Sequence, residues 1–334
     1  MKFRKMILLS VIALVGVTFL FACNSGEEEL TKVDLGEVTR SIFYAPQYVA
    51  ISEGFFEEEG LDVELTTTWG GDTTMTAILS NGIDIGLVGA ETSIYVYAQD
   101  ANDPVISFAQ LTQTDGTFLV ARNETADEFD WENLRGSTFL GQRAGGMPQM
   151  VGEYVLRQHD IEPHEDLELI QNIDFGNIPA AFASGTGDYV QLFEPQASQF
   201  EKEGIGYVVD SFGTQSGNIP YTVFMAKESF LSEQTDTVEK FTRAIYKAQQ
   251  WVQEQSAETI ANAIEPFFED ADMETIIQVI ERYRDQGSYA DFPLLQEDGW
   301  YLLQEMMDQS GQLPMEIPYE DLVNTDIPTK IMQE

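Results

Sequence analysis

From residue 37 to about residue 227 the chain alternates two kinds of apolar pattern, and it runs through the cycle twice. "EVTRSIFYA" reads as a strand. "PQYVAISEGFFEEEG" has helical spacing, with Gly60 placed to end it. "LDVELTTTW" alternates apolar and polar residues as a strand does, and "DTTMTAILSNG" is a short helix closing on Asn-Gly. "IDIGLVGA", "PVISFAQLT" and "GTFLVAR" read as strands, with the helix "ETSIYVYAQD" among them. Strand–helix alternation predicts a mainly parallel sheet with helices on both faces. The cycle then restarts with the strand "STFLGQ", the glycine-led helix "GGMPQMVGEYVLRQHD" and the strands "LELIQNI", "DYVQLFEP" and "IGYVVDSF". Two cycles predict two α/β lobes. The chain is expected to cross between them near Thr117–Arg122 and to return near Ile219–Thr222. This divides it into a first lobe over 36–118, a second over 119–219, and a return to the first over 220–334. From Glu228 onward the pattern is mostly helical. Two crossings make a hinge, and the cleft beside it collects strand carboxyl ends and helix N-termini, where open α/β sheets bind ligands.

Upstream of the first cycle, Lys2, Arg4 and Lys5 precede an apolar run from Met6 to Ala22. That is the layout of a secretory signal, and the run is short for a bilayer span, which needs about 20 apolar residues. Leu20-Phe21-Ala22-Cys23 resembles a bacterial lipobox. On that resemblance residues 1–22 are removed, Cys23 carries lipid, and residues 23–35 form a flexible acidic spacer. The protein then sits outside the cytoplasm, held to the membrane by its lipid alone. Cys23 is the single cysteine, so a lipidated chain has no thiol left for disulfides, zinc sites or nucleophilic catalysis. His159 and His164 stand five apart with a proline between them, a loop pattern and not a metal site. No metal, cofactor or catalytic residue is expected. With 57 acids against 17 bases, a formal charge of −40 argues against nucleic-acid binding and against adhesion to anionic lipid.

The ordered motifs of the first cycle are specific as a set. They are Gly54-Phe55-Phe56, Gly60-Leu61-Asp62-Val63, Gly70-Gly71, and Leu79 through Gly86 with its Asp84-Ile85-Gly86 ending. Phe193-Glu194-Pro195 follows in the second cycle. In this order they resemble the solute-binding lipoproteins of bacterial ABC importers, in the branch that serves sulfonates and taurine, nitrate, and thiamine-pyrimidine precursors. The resemblance covers nearly the whole chain after the lipobox. It implies a two-lobed type II periplasmic-binding-protein fold, a monomer that closes on a small molecule, and delivery to a permease and ATPase. Some relatives of this fold are pyrimidine-making enzymes, which resemble the binding proteins but need histidine and clustered cysteines. A chain with two loop histidines fits an enzyme poorly.

The ligand is left to the cleft residues. Phe43 and Tyr44 are expected at the end of the first strand, one facing the cleft and one the core. Trp69 can stack on a ring or pack between strand and helix. Gly70 and Gly71 let backbone approach a ligand, and Asp72 can cap the following helix or meet the ligand. Glu91 and Thr92 open a helix, where the carboxylate serves either the helix dipole or an amino group on the ligand. Arg143, Gly145 and Gly146 are the second-lobe counterpart, with the guanidinium free to take a sulfonate or to pair with an acid. Glu194 meets the ligand or latches the hinge. Aromatics with a carboxylate favour a flat nitrogenous ring whose amine donates to Glu91. Taurine or another aminosulfonate held by Arg143 is the alternative.

Overall fold

The computed structural model describes residues 29–334. The signal segment and Cys23 lie outside the described residues. The first sheet has the strand order β2-β1-β3-β10-β4 and the second β7-β6-β8-β5-β9. The first holds β1 (Thr31–Glu37), β2 (Leu61–Thr67), β3 (Ile85–Gly89), β4 (Val105–Thr112) and β10 (Thr222–Lys227). The second holds β5 (Thr117–Ala121), β6 (Thr138–Leu140), β7 (Glu168–Ile170), β8 (Tyr189–Phe193) and β9 (Tyr207–Ser211). In each sheet four strands run in one direction, and the strand that follows a crossing runs against them, pairing antiparallel with both neighbours. β10 enters between β3 and β4, and β5 enters between β8 and β9. The sheets are therefore mixed at the strand next to the hinge, where a wholly parallel order would need a further crossover helix.

The first strand begins six residues before the position read from the sequence. "TKVDLGE" buries Val33 and Leu35 and pairs in full parallel register with β2, so residues 31–35 belong to the sheet and not to a spacer. Downstream of it, the Ser41 hydroxyl accepts from the Phe43 amide and starts a 3-10 turn, Ile42–Tyr44. That turn leads straight into helix α1 (Ala45–Ser52), so Phe43 and Tyr44 sit on a helical turn and not at a strand end. Helices α2 (Gly71–Leu79) and α3 (Glu91–Tyr97) complete the part of the first lobe that faces the cleft. Helix α4 (Met147–Gln158) is the second-lobe counterpart.

The C-terminal helices do more than complete the first lobe. Helix α5 (Thr235–Glu254) buries Val238, Phe241, Ile245, Ala248 and Val252 at alternating three- and four-residue steps against α1 and β4. Each large side chain in such a stripe is worth about 1.5–3 kcal/mol of burial. Helix α6 (Met273–Asp285) packs on the Ile42–Tyr44 turn and also on the second-lobe helix Gln196–Glu203. Helix α7 (Glu297–Gln309) lies against both α3 and α4. The 220–334 segment thus spans the two lobes and straps them together.

The outward crossing occupies residues 113–116, slightly ahead of the expected place, so the whole of β5 lies in the second sheet. One Asp115 carboxylate oxygen accepts from both the amide and the hydroxyl of Thr117, which fixes the turn. Gly116 lies under the Phe43 ring, where a Cβ would sit 2.8 Å from Cζ. The return crossing begins at a short helix, Phe212–Ser216, absent from the sequence reading. It touches the outward one at Gly213, where a Cβ would overlap the Asp115 carbonyl oxygen. Backbone on one side and Gln286 on the other leave that Cβ no room. Gly213→Ala is accordingly expected to lower stability by roughly 1–3 kcal/mol, the usual cost of overpacking, read as a lower urea midpoint. An unchanged midpoint would show that the crossings can separate freely.

Candidate functional site

The two sheets enclose a cleft whose inner chamber measures about 380 Å³. The first lobe contributes the β2–α2 loop at Gly70-Gly71, the end of β3 and the exposed face of α3. The second contributes residues 142–148 together with Phe175 and Phe193. Tyr44, Tyr95, Tyr221, Phe175 and Phe193 make the wall strongly aromatic, and Met75 and Met147 fill its corners.

Glu91 is the buried charged group of this chamber, beside the exposed Asp72 and Arg143. It starts α3, 5% exposed. A Cβ on Gly89 would overlap its carboxylate, so only glycine at the end of β3 lets the side chain fold back over the strand. Its Oε1 accepts from the Met147 amide of α4, 3.2 Å away across the cleft, while its Oε2 is buried without a hydrogen-bond partner. The Thr92 hydroxyl beside it donates back to the Gly89 carbonyl at 2.7 Å, so that residue presents mainly its methyl to the ligand space. Two further contacts cross the cleft. The Tyr95 hydroxyl donates to the Gly145 carbonyl at 3.3 Å, and Arg143 pairs with Asp72 at 3.3 Å.

Three other buried carboxylates among the described residues have an arginine partner. Glu37 accepts from Arg40, Gln47, Tyr48 and Thr67. Glu153 pairs with Arg157. Glu194 pairs with Arg282 and accepts from both the amide and the hydroxyl of Ser198. Glu91 has no ion pair among the described residues, so the cost of burying its charge is uncompensated. Burial accordingly pushes its carboxyl up to about 7, against the smaller opposing effect of the amides that bond it. Asp115 shares the pattern more weakly: burial raises it to about 6, with the Thr117 hydrogen bonds opposing. Asp115 does not line the chamber; its carboxylate lies beside the Tyr221 hydroxyl, which opposes the upward push on Asp115 as the Thr117 bonds do.

The positions read from the sequence divide. Tyr44, Gly70, Gly71, Asp72, Glu91, Thr92, Arg143, Gly145 and Gly146 meet at the inner chamber. Phe43 does not; it is fully buried at the hinge against Tyr221, Tyr283 and Phe193. Of the pair Phe43 and Tyr44, it is the one that faces the core. Glu194 also stays out of the inner chamber; it lines an outer chamber and pairs with Arg282 on α6. Asp72 makes no side-chain cap to its helix and pairs with Arg143 instead. Trp69 is 74% exposed and faces an outer chamber. His159 stacks on Trp131, 4.1 Å between ring centres, and His164 lies 3.5 Å from Glu153; neither lines the cleft. Tyr95, Gln142, Phe175, Phe193 and Tyr221 were not anticipated. Tyr95 alone had a readable cue, four residues after Glu91 on the same helix face.

The sign of the Glu91 shift gives a stability prediction. A carboxyl whose folded value lies above its unfolded one contributes stability fully present below the unfolded value, about 4.5, and lost as pH rises through about 7. Glu91→Gln removes the charge, and it should therefore stabilise the ligand-free protein at pH 8 by on the order of 2–3 kcal/mol while changing little near pH 4. Thermal melts of both proteins across pH 4–8 decide it. Parallel curves would mean that Glu91 is not held as a strained buried charge.

Comparison with known proteins agrees with this geometry. The NMT1-like family matches residues 26–265. The chain is 64% identical over 326 residues to "Putative binding protein YtlA" of Bacillus subtilis, covering 96% of this chain and 97% of that one. It is 24% identical over 260 residues to the formylaminopyrimidine-binding protein of Halalkalibacterium halodurans, covering 74% and 75%. It is 25% identical over 244 residues to the 4-amino-5-hydroxymethyl-2-methylpyrimidine phosphate synthase of Aspergillus parasiticus, covering 70% and 68%. In three dimensions it resembles the ligand-binding component of an ABC-type import system from Staphylococcus aureus, with a TM-score of 0.73 at 14% identity over 91% of this chain and 100% of that one. It also resembles the alkanesulfonate-binding protein SsuA of Xanthomonas axonopodis pv. citri, with a TM-score of 0.68 at 14% identity over 89% and 99%. The two-sheet cleft is the fold these structures share, and the sequence match across most of both lobes makes the chain a member of the NMT1-like family.

Proposed function

We propose that this protein is the extracytoplasmic solute-binding component of an ABC importer, tethered through lipid on Cys23 and acting as a monomer. It captures a small nitrogenous ring compound of the thiamine-pyrimidine kind and presents it to a permease and its ATPase. The observation that carries the ligand is Glu91, a carboxylate that lines an aromatic chamber and whose Oε2 is buried with no partner among the described residues. A flat ring stacks on such walls, and an amino group on it supplies the hydrogen-bond donor that the oxygen lacks. The formylaminopyrimidine-binding relative is consistent with this chemistry. The binding-protein name of the 64%-identical relative supports a role in capture and not in catalysis. An enzyme reading through the synthase relative finds no histidine in the chamber to support it.

A second reading has its own observation. Arg143 stands beside the glycine-led start of α4, half-exposed, with Asp72 as its ion-pair partner. An aminosulfonate would place its sulfonate there and its ammonium on Glu91. The ion pair weakens this reading, because a sulfonate would have to displace a carboxylate already at 3.3 Å.

Calorimetric titration with aminopyrimidines, taurine, alkanesulfonates and nitrate separates the two. An aminopyrimidine is expected to bind at about micromolar affinity. Glu91→Gln should weaken it by roughly 10- to 100-fold, the 1–3 kcal/mol of a disturbed charge-assisted bond, while Arg143→Ala changes it little. Binding of a sulfonate lost in Arg143→Ala, with no response to pyrimidines, would overturn the ring reading and leave the importer reading intact. For the tether, Cys23→Ser expressed in the host should leave the protein unprocessed by the lipoprotein pathway. Normal processing and membrane retention would refute the anchor.

A further inference from the structure

The inner chamber does not end at the Arg143–Asp72 pair. A second chamber of about 450 Å³ opens on its far side and shares Gly70, Asp72, Gln142, Arg143, Phe175 and Phe193 with the first. The two chambers adjoin, and that ion pair lines both of them. Trp69 and Phe175, one from each lobe, both line the outer chamber.

Trp69 is unusual on two counts. It is 74% exposed, so its ring contributes little to any core. Its backbone has φ 61°, the left-handed region that a bulky residue adopts only at a cost. Neither burial nor backbone preference accounts for a tryptophan there; asparagine or glycine would satisfy the loop better. Phe175 is 39% exposed and leans edge-on against Phe193 at 5.8 Å, so that wall is continuous with the aromatic lining of the inner chamber. Charge in the outer chamber also has a direction. Arg40 is bound to Glu37 and Arg143 to Asp72, whereas Asp174 is exposed on the wall.

From these features we infer that the ligand has two parts. An amine-bearing ring fills the inner chamber against Glu91, and a planar arm, neutral or cationic, passes the Arg143–Asp72 pair and stacks on Trp69 in the outer chamber. Trp69 is then the residue that sets specificity for the arm. A planar cation suits the site because an aromatic face and a nearby carboxylate both attract it. An anionic arm is disfavoured by the same groups. The inference rests on the proposed ring-binding role of Glu91 and extends it to the shape of the whole ligand.

The test uses a matched pair of probes. One is 4-amino-5-hydroxymethyl-2-methylpyrimidine, the ring alone. The other is thiamine, in which the same aminopyrimidine carries a cationic thiazolium. Titration calorimetry of the full folded chain should show thiamine bound about tenfold tighter than the single ring, as stacking and cation–π contact imply. Trp69→Asn, chosen because asparagine tolerates the left-handed backbone, should bring the two within about threefold while single-ring binding stays unchanged. Melting of that variant checks that the loop is intact. Equal binding of both probes by the unmodified protein, or an equal loss of both in Trp69→Asn, overturns the two-part ligand and leaves the ring reading in place. If neither probe binds, the ring reading fails and the two-part ligand falls with it.

Discussion

The two lobes are joined where the outward and return crossings press against one another. Asp115 fixes the first through Thr117, Gly116 accepts the Phe43 ring, and Gly213 of the second lies in contact with the Asp115 carbonyl. Around this point Phe43 meets Tyr221, Tyr283 and Phe193, one aromatic cluster fed by both lobes and by α6. The Tyr283 hydroxyl donates to the Gly116 carbonyl at 3.0 Å and accepts from the Glu194 amide at 3.3 Å. Close-packed interiors resist continuous deformation. A joint built this way permits rotation about the crossings and little sliding. The geometry of the cleft, including how near Met147 comes to Glu91, is inherited from it.

The contrast among buried carboxylates separates structural from functional charge. Glu37, Glu153 and Glu194 each have an arginine, and Glu37 and Glu194 have most of their oxygen capacity filled, so they hold strands, turns and the hinge strap in place. Glu91 has neighbouring amides but no cation, and one oxygen is left over. A group that lowers stability when ionised, and that is bent inward over a glycine required for that bend, is arranged for something other than folding. A ligand that donates to this oxygen would offset the cost. The molecule is then most strained when empty, and binding relieves the strain.

Much of this was legible in the sequence because it depends on local pattern. The strand and helix runs emerged from periodicity, and the glycines and acid at strand ends marked the cleft. What escaped depends on contacts between distant segments. The run "EVTRSIFYA" is apolar enough to read as a strand, yet Ser41 starts a turn within it, and the true strand "TKVDLGE" is polar enough to pass for a spacer. Tyr221 and Phe193 reach the chamber only because the chain crosses twice, which no spacing rule reports. The C-terminal helices were seen as amphipathic, but which lobe each stripe faces is decided by packing, and α6 and α7 face both.

The contacts that hold the cleft shut are individually weak. The Glu91–Met147 bond is 3.2 Å long, the Tyr95–Gly145 bond is 3.3 Å, and the Arg143–Asp72 pair lies in solvent, where such pairs contribute about 0–1 kcal/mol and are screened by salt. Ionised Glu91 adds a desolvation cost that grows as the lobes close over it. These three contacts add little to the balance between open and closed forms beside the firmer ties that α6, α7 and the Glu194–Arg282 pair make between the lobes. A ligand can shift that balance only through contacts it makes in one form and not the other. A ligand in the inner chamber would meet Glu91 and Tyr44 from the first lobe, and Gly145–Met147, Phe175 and Phe193 from the second. On the proposed binding role, closure would bring the second set to a ligand already held by the first.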